Sequence, residues 1–249
     1  MPLRCMLLFS AMGLNLFSPL HVAAVDEVSG QVIERARAAI SAESTLENIV
    51  TLIIEGEIEP IEDGLMPAQV RLIARKPCSQ RLEVRMDDLL ETTLLHGDNG
   101  SLIRTHIAEG ISRMRELTDA ERSTIRHSTQ NLFNFFRPAL RDKEVVTYKG
   151  RVERHNTLCD ILVYNCEDGS STVRYFSKEN GDLIATIRKT PTTSLEIVEE
   201  GEFYAEGVKF PARQFYYQDG KPLHRFEIKT IQINKALASG TFRMPEPKK

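Results

Sequence analysis

The side chains that could do chemistry in this chain are few and dispersed. Six histidines, the acidic pairs Asp87-Asp88 and Glu199-Glu200, and the basic alternation Arg71, Arg75, Arg81 and Arg85 are the candidates. Nucleophilic catalysis needs a base and an orienting group converging on the nucleophile, and metal chemistry needs a ligand set at fixed spacing. The chain carries no His-Glu-x-x-His, no Gly-x-Ser-x-Gly and no Gly-x4-Gly-Lys-Ser/Thr phosphate loop. His96 and His106 flank Asn99-Gly100 and suggest a metal pair, but a two-residue turn there sets His96 opposite Ile103 and His106 opposite Thr93, on opposite faces. His127 falls in a helical segment, His155 in a polar turn and His224 alone on an apolar face, where a hydrogen-bonded structural role is the expectation. Both acidic pairs sit at expected bends as solvated turn residues. The reading assigns no catalytic residue, no cofactor and no metal.

The scaffold that would hold such residues is written in its turns. Asn99-Gly100, Asp168-Gly169, Asn180-Gly181 and Asp219-Gly220 each lie between apolar stretches, the strongest short-range signal for a β-hairpin. An antiparallel sheet built hairpin by hairpin has an apolar face that must be covered. The chain offers two good helices for it. The first places Val28, Val32, Ile33, Ala36 and Ile40 at helical spacing, with Glu34, Arg35 and Arg37 on the other side. The second opens with the capping box Thr118-Asp119-Ala120-Glu121, carries Ile125, Leu132, Phe133 and Phe136 as one stripe, and stops at Pro138.

Between and after these helices the period is two. Leu52 and Ile54 alternate with Ile53 and Glu55, a strand apolar on most of both faces and so covered twice or central. Val70, Leu72 and Ala74, then Leu82, Val84 and Met86, oppose the four arginines, giving one core or cavity face and one solvated face. Around Asp219-Gly220 a two-residue turn pairs Gln218 with Lys221, Tyr217 with Pro222, Phe215 with His224 and Arg213 with Phe226. That register groups Phe215, Tyr217, Phe226 and Ile228 on one face. Around Asp168-Gly169 the same logic gathers Leu162, Tyr164, Val173 and Tyr175, and around Asn180-Gly181 Phe176, Leu183, Ala185 and Ile187 share a face with Arg174 and Lys178.

The compartment is read from the N-terminus. Arg4, the mainly apolar run from Met6 to Leu16, a break at Pro19 and the small residues Val22, Ala23 and Ala24 form the three parts of a secretory signal peptide. Ser10, Asn15, Ser18, Pro19 and His21 interrupt what would need about twenty apolar residues to span a bilayer. Residues 1–24 are thus expected to be removed near Ala24, leaving residues 25–249 as one soluble domain without linker or repeat. The mature chain holds 31 Lys plus Arg against 35 Asp plus Glu, a formal charge of −4 that gives no general attraction to nucleic acid. With no Trp and no glycine-plus-aromatic motif, the arginine stripe serves solubility better than RNA or DNA.

Three cysteines remain after that cleavage. On one continuous strand Cys159 and Cys166 would stand roughly 23 Å apart, too far for a disulfide. Cys78 could pair with either, and an odd count leaves at least one thiol free.

The signal peptide, the amphipathic first helix, the segment Ala68-Gln69-Val70-Arg71-Leu72-Ile73-Ala74-Arg75-Lys76-Pro77 leading into Arg81 to Met86, the Asp98-Asn99-Gly100 turn, the middle helix and the terminal Thr241-Phe242-Arg243-Met244-Pro245 together resemble the LolA/LolB-like periplasmic lipoprotein-carrier family. Val208-Lys209-Phe210-Pro211 and the long final hairpin also look like the broader superfamily. The resemblance implies an α+β fold, mainly β: a curved antiparallel sheet forming an incomplete barrel under a lid of helices. It implies a non-enzymatic carrier in the periplasm whose apolar cavity takes lipoprotein acyl chains or another lipid, in concert with lipoprotein machinery of the inner or outer membrane. The cavity and lid would then be lined by Leu72, Leu82, Val84 and Met86 with Ile125, Leu132, Phe133 and Phe136. In that family an arginine before the second-strand proline helps hold the lid shut; here the position is Lys76, which lacks the planar fork of a guanidinium. The competing reading is an envelope interaction module, a stress sensor or assembly factor that keeps the fold without carrying lipid.

Overall fold

The computed structural model describes residues 25–61, 66–139, 143–167, 169–189 and 193–244. The leader, residues 1–24, lies outside them, as does Asp168 of the Asp168-Gly169 pair. Helix α1 (Glu27–Ile40) starts where the Asp26 carboxylate accepts the Ser29 amide at 2.9 Å and its hydroxyl at 2.7 Å, satisfying an otherwise orphaned helix-start donor. A short helix α2 (Glu43–Glu47) leads into β1 (Thr51–Pro60). A meander follows: β2 (Ala68–Arg75), β3 (Ser79–Met86), β4 (Leu89–His96), β5 (Asn99–His106) and β6 (Ile111–Glu116). Helix α3 (Asp119–Asn134) then carries the chain to the opposite edge of the sheet. From there β7 (Val145–Arg154), β8 (Thr157–Asn165), β9 (Ser171–Ser177), β10 (Leu183–Lys189), β11 (Ser194–Ala205), β12 (Val208–Gln218) and β13 (Lys221–Ile233) return to pair β13 with β1.

All thirteen strands form one antiparallel sheet in the order β6-β5-β4-β3-β2-β1-β13-β12-β11-β10-β9-β8-β7. Since β6 and β7 do not meet, the sheet is an incomplete barrel, the architecture that the family resemblance implies. At the centre of the curl a bulge between Glu55 and Gly56 bends β1 against β13. Gly56 is required there: a β-carbon would lie 2.4 Å from the Glu227 carbonyl oxygen and 2.6 Å from the Phe226 ring.

The two helices cover the concave face. Val32, Ile33 and Ala36 of α1 pack on Val146, Leu162, Tyr164 and Phe176, while Thr129 of α3 donates its hydroxyl to Gln80 Oε1 on β3 at 2.8 Å. Leu46 and Ile49 join Leu52, Ile54, Phe133 and Ile228 in a further core at the β1/β13 seam. On the convex face Ile53, Ile73 and Leu94 are sealed by Phe242 of the C-terminal segment, aided by Leu237 and Met244. β1 is therefore both central and covered twice, as its unalternating pattern predicts. The arginine stripe lies on this outer face: Arg71 meets Glu55 at 3.0 Å and Arg75 stacks over Phe242, 4.9 Å from the ring centroid.

Register departs from expectation at every hairpin. The β4–β5 turn is Gly97-Asp98, not Asn99-Gly100, because Gly97 supplies the φ of +60° the first turn position needs. His96 is thus opposite Asn99 and His106 opposite Leu89. The β8–β9 loop spans residues 166–170, setting Tyr164 opposite Thr172 and Leu162 opposite Arg174. A one-residue slip exchanges faces, so Val173 and Tyr175 leave the Leu162 side and Arg174 joins it. In β10 an irregularity between Leu183 and Ala185 does the same, placing Thr186 opposite Arg174 and splitting the expected Leu183, Ala185 and Ile187 face. The β12–β13 turn keeps the two expected pairs nearest Asp219-Gly220, and then a bulge at Tyr216/Tyr217 sets His224 opposite Tyr216 and Phe226 opposite Gln214. Phe226 and Ile228 therefore face inward with Gln214 and Tyr216, apart from Phe215.

Candidate functional site

Between α1, α3 and the concave sheet lies a cavity of about 760 Å³. Alternation alone builds its apolar wall: Leu52, Ile54 and Ile58 of β1, Val70 and Leu72 of β2, Leu82 of β3, and Phe226 and Ile228 of β13. The helices close it with Ala36 and Ile40 from one side and Leu132 from the other. A volume of this size falls within the usual range for small-molecule pockets, roughly 300 to 1,000 Å³.

Each end of the covering helix α3 is tied down. At its start the Thr118 hydroxyl accepts the Glu121 amide at 3.3 Å and Glu121 Oε2 accepts the Thr118 amide at 2.8 Å, the capping box expected from the sequence. Arg115 grips the same carboxylate through two bonds of 2.6 and 2.8 Å and, with the Thr118 amide, holds it down at about 2. At its end Phe135 and Phe136 take left-handed φ values of 44° and 74°, costly for bulky residues. Arg37 stabilises that turn: its Nη1 donates to the carbonyls of Asn134 at 2.6 Å and Phe135 at 2.8 Å, while Nε and Nη2 bind Glu43 at 2.8 and 2.6 Å. Tyr164 donates its hydroxyl to the Phe136 carbonyl at 2.9 Å. The sequence places Arg37 on the polar side of α1; it is instead buried, only 4% exposed, because the unpaired carbonyls at the end of α3 demand a donor there.

Of the residues named from the sequence, Leu72, Leu82, Leu132 and Phe136 line the cavity together. Val84 and Met86 continue the alternation of β3 past the lining, and Met86 is exposed. Ile125 sits half-buried on α3, also outside the lining. Phe133 is buried in the core with Leu46 and Ile49 and borders a separate recess of about 210 Å³ shared with Lys76, Arg37 and Arg137. Lys76 places its ammonium 5.7 Å from the Phe133 ring centroid and donates to the Glu47 carbonyl at 3.1 Å; burial pushes its pKa down. Phe135, absent from the helical stripe, lines the cavity. The helix ends at Asn134, short of Pro138, so a helical projection misplaces the residues beyond it.

The opposite wall is polar, and sequence reasoning missed it. Glu199 of β11, Gln214 and Tyr216 of β12, His224 of β13 and Arg188 of β10 all line the cavity. Tyr216 donates to Gln214 Oε1 at 3.0 Å, and Gln214 Nε2 donates to Glu199 Oε1 at 3.0 Å. The Tyr216 and His224 rings stack with centroids 4.5 Å apart. Burial pushes Glu199 up to about 7, opposed by the bond from Gln214, and pushes Tyr216 up to about 12 and His224 down. Beside this wall Lys209 is neutralised by Asp182 at 2.5 Å and Glu202 at 3.4 Å. The bulges and slips that bring these residues inward leave no signal in a two-residue turn motif.

One group among the described residues could hold a metal ion: donor atoms of His127, Glu144 and Cys166 lie within 4.8 Å of one another. Glu144 already accepts the Ala139 amide at 2.8 Å and the Cys166 thiol at 3.9 Å. No disulfide joins any two of Cys78, Cys159 and Cys166, which answers the pairing left open by the sequence.

The arrangement defines a class: an open antiparallel half-barrel with a largely apolar cavity roofed by helices. Among solved structures the chain is similar to a DUF1329 family protein from Desulfovibrio piger, with TM-score 0.59 at 10% identity over 86% of this chain and 96% of that one. It is similar to a domain from Vibrio parahaemolyticus described as outer membrane lipoprotein-sorting, with TM-score 0.56 at 8% identity over 86% and 97%. A LolA superfamily protein from Nitrosomonas europaea gives TM-score 0.55 at 9% identity over 86% and 97%. No family model and no curated protein matches the chain. The fold is therefore LolA-like, one shared with an outer membrane lipoprotein-sorting domain.

Proposed function

We propose that this protein is a non-enzymatic periplasmic carrier or binding protein for acyl chains, exported by residues 1–24, cut near Ala24 and working as one domain over residues 25–249. The observation that carries the reading is the cavity of about 760 Å³, apolar along β1 to β3 and roofed by α1 and α3. Each buried methylene contributes roughly 0.8 kcal/mol, so one acyl chain could provide most of a useful affinity. Leu72, Leu82, Leu132 and Phe136 would contact the chain, Val84, Met86 and Ile125 would meet it only where it extends past the present lining, and Phe133 and Lys76 would set how α3 is held. No helix among the described residues is long and apolar enough to cross a membrane. Native mass spectrometry of protein purified from its own envelope tests the reading: adducts with lipid masses support it, and an adduct-free protein that also takes up no lipid from vesicles sinks it.

A second reading, the envelope interaction module, is favoured by one edge. All six residues of β6 are exposed, with Ile111 at 49% and Met114 at 40%, and its outer hydrogen-bonding side has no strand partner among the described residues. Such an edge can accept a strand from another protein. Cross-linking from position 114 in the envelope separates the two readings.

A further inference from the structure

The acyl-carrier reading does not explain a guanidinium on the polar wall of the cavity. Arg188 lines the cavity as a solvent-exposed residue open to it, and its side chain makes no hydrogen bond or ion pair with any described residue. Register explains why the nearest inward carboxylate does not neutralise it. Arg188 stands opposite Leu195, whereas Glu199 lies four residues further along β11, about 13 Å away at strand spacing. Glu199 is engaged by Gln214, and Asp182 and Glu202 are engaged by Lys209.

A second cation stands behind the first. Arg174 shares the inward face, only 7% exposed, its guanidinium 4.2 Å from the Tyr164 ring centroid and 5.6 Å from that of Phe136. Its Nη1 has no hydrogen-bond partner. Buried donors of this kind are almost always satisfied, and an unpaired cation is costlier still. The protein around Arg188 and the neighbouring Arg174 charge both disfavour its charged form, although the side chain itself stays open to solvent in the cavity. A negative charge placed between the Arg188 fork and the Tyr216 side of the wall would pair the open fork and offset the repulsion between the two guanidiniums.

Resting on the reading that the cavity takes an acyl chain, we infer that Arg188, with Arg174 behind it, is an oxyanion-recognition site, so that the ligand is an amphiphile with a carboxylate or phosphate head. The tail lies along Leu52, Ile54, Leu72 and Leu82, and the head meets the planar fork that suits such groups. Nothing in the hydrogen-bonded chain from Tyr216 through Gln214 to Glu199 has to break for this.

Matched tails separate head recognition from tail recognition. The purified protein, stripped of copurifying lipid, is titrated with palmitate, palmitoyl lysophosphatidate, hexadecanol and methyl palmitate. The expected result is at least tenfold tighter binding of one or both anionic ligands than of the two neutral ones; whichever anion binds tighter identifies the source of the head. R188Q should reduce the anionic affinities to the neutral level and leave the neutral ones unchanged, while R188K should retain part of the preference. Equal affinity of all four ligands for the unaltered protein overturns the oxyanion site and leaves the carrier reading standing. Failure of all four to bind overturns the carrier reading itself, and the oxyanion site with it. The comparison of heads needs no variant, so an R188Q protein that does not fold leaves the test decisive.

Discussion

Replacing Glu199 by Gln should make the protein more stable at pH 8 and leave it little changed at pH 5. The carboxyl lies in the polar wall with its proton held up to about 7, against an ordinary value of 4.5, chiefly because burial penalises the charge. A group that keeps its proton longer in the folded state contributes stability that is complete below its unfolded pKa and is lost as pH rises through its folded one. The window is therefore pH 4.5 to about 7, and stability falls across it. At roughly 1.4 kcal/mol for each pH unit between those two values, the most that can be lost is about 3 kcal/mol. Solvent in the open cavity screens the charge, so between about 1 and 3 kcal/mol is expected. Gln at this position keeps an oxygen for the 3.0 Å bond from Gln214 and has no proton to lose. For a domain of this size the gain corresponds to a rise in Tm of about 2 to 12 °C at pH 8. Urea denaturation of both proteins at half-unit pH steps from 4.5 to 8 measures it, since every other titrating group cancels in the difference. Parallel profiles across the whole window would refute the reasoning, as would a carboxyl carbon shift for Glu199 that titrates near 4.5.

Three further outcomes follow from the packing. Phe133→Ala should cost about 3 to 5 kcal/mol because the ring is buried in the seam core, whereas Phe136→Ala, half-buried at the cavity, should cost less and alter lipid retention more; equal losses in urea with unchanged retention would show that both are plain core. Arg37→Met should cost about 2 to 4 kcal/mol, since it strands the two carbonyls at the end of α3, while Lys76→Met should cost under about 1 kcal/mol; the opposite ranking in denaturation would return the principal tie on α3 to Lys76. Phe242→Ala should uncover Ile53, Ile73 and Leu94 on the convex face, raising fluorescence of a hydrophobic dye without changing ligand affinity, and a change in affinity at constant fluorescence would contradict the separation of the two faces.

The parts of the fold legible in the sequence are those that local rules decide. Alternation in β2 and β3 reveals which residues face in, because a strand's period is fixed and nothing interrupts it between Gln69 and Arg85. The capping box at Thr118 is legible for the same reason, four consecutive residues setting one geometry. The cavity's polar wall was not legible, because it depends on irregularities of a single residue: the Leu183/Ala185 shift in β10, the Tyr216/Tyr217 bulge in β12 and the longer loop after Asn165. Each such step inverts every side chain beyond it, so a shift of one residue brings Arg174 to the Leu162 side and Tyr216 to the Phe226 side. Turn dipeptides fix where a chain reverses, and they say nothing of what happens four residues later.

Arg37 shows why long-range satisfaction escapes a pattern. Its position in α1 follows the polar side of a helical projection, yet the carbonyls it serves come from residues 97 and 98 positions further along the chain. Those carbonyls are orphaned because α3 ends in a left-handed turn at Phe135 and Phe136, and that turn also aims both rings into the cavity. One guanidinium thus couples three things: the end of α3, the start of α2 through Glu43, and the two aromatic residues that an incoming chain would meet. If α3 moves to admit a ligand, the bonds from Arg37 to Asn134 and Phe135 are the ones it must give up at that end, whereas Lys76, holding only the Glu47 carbonyl, can keep its hydrogen bond throughout. The barrier to opening is then set by Arg37 of α1, beside Lys76 in the same recess, and not by the position where the family resemblance places it.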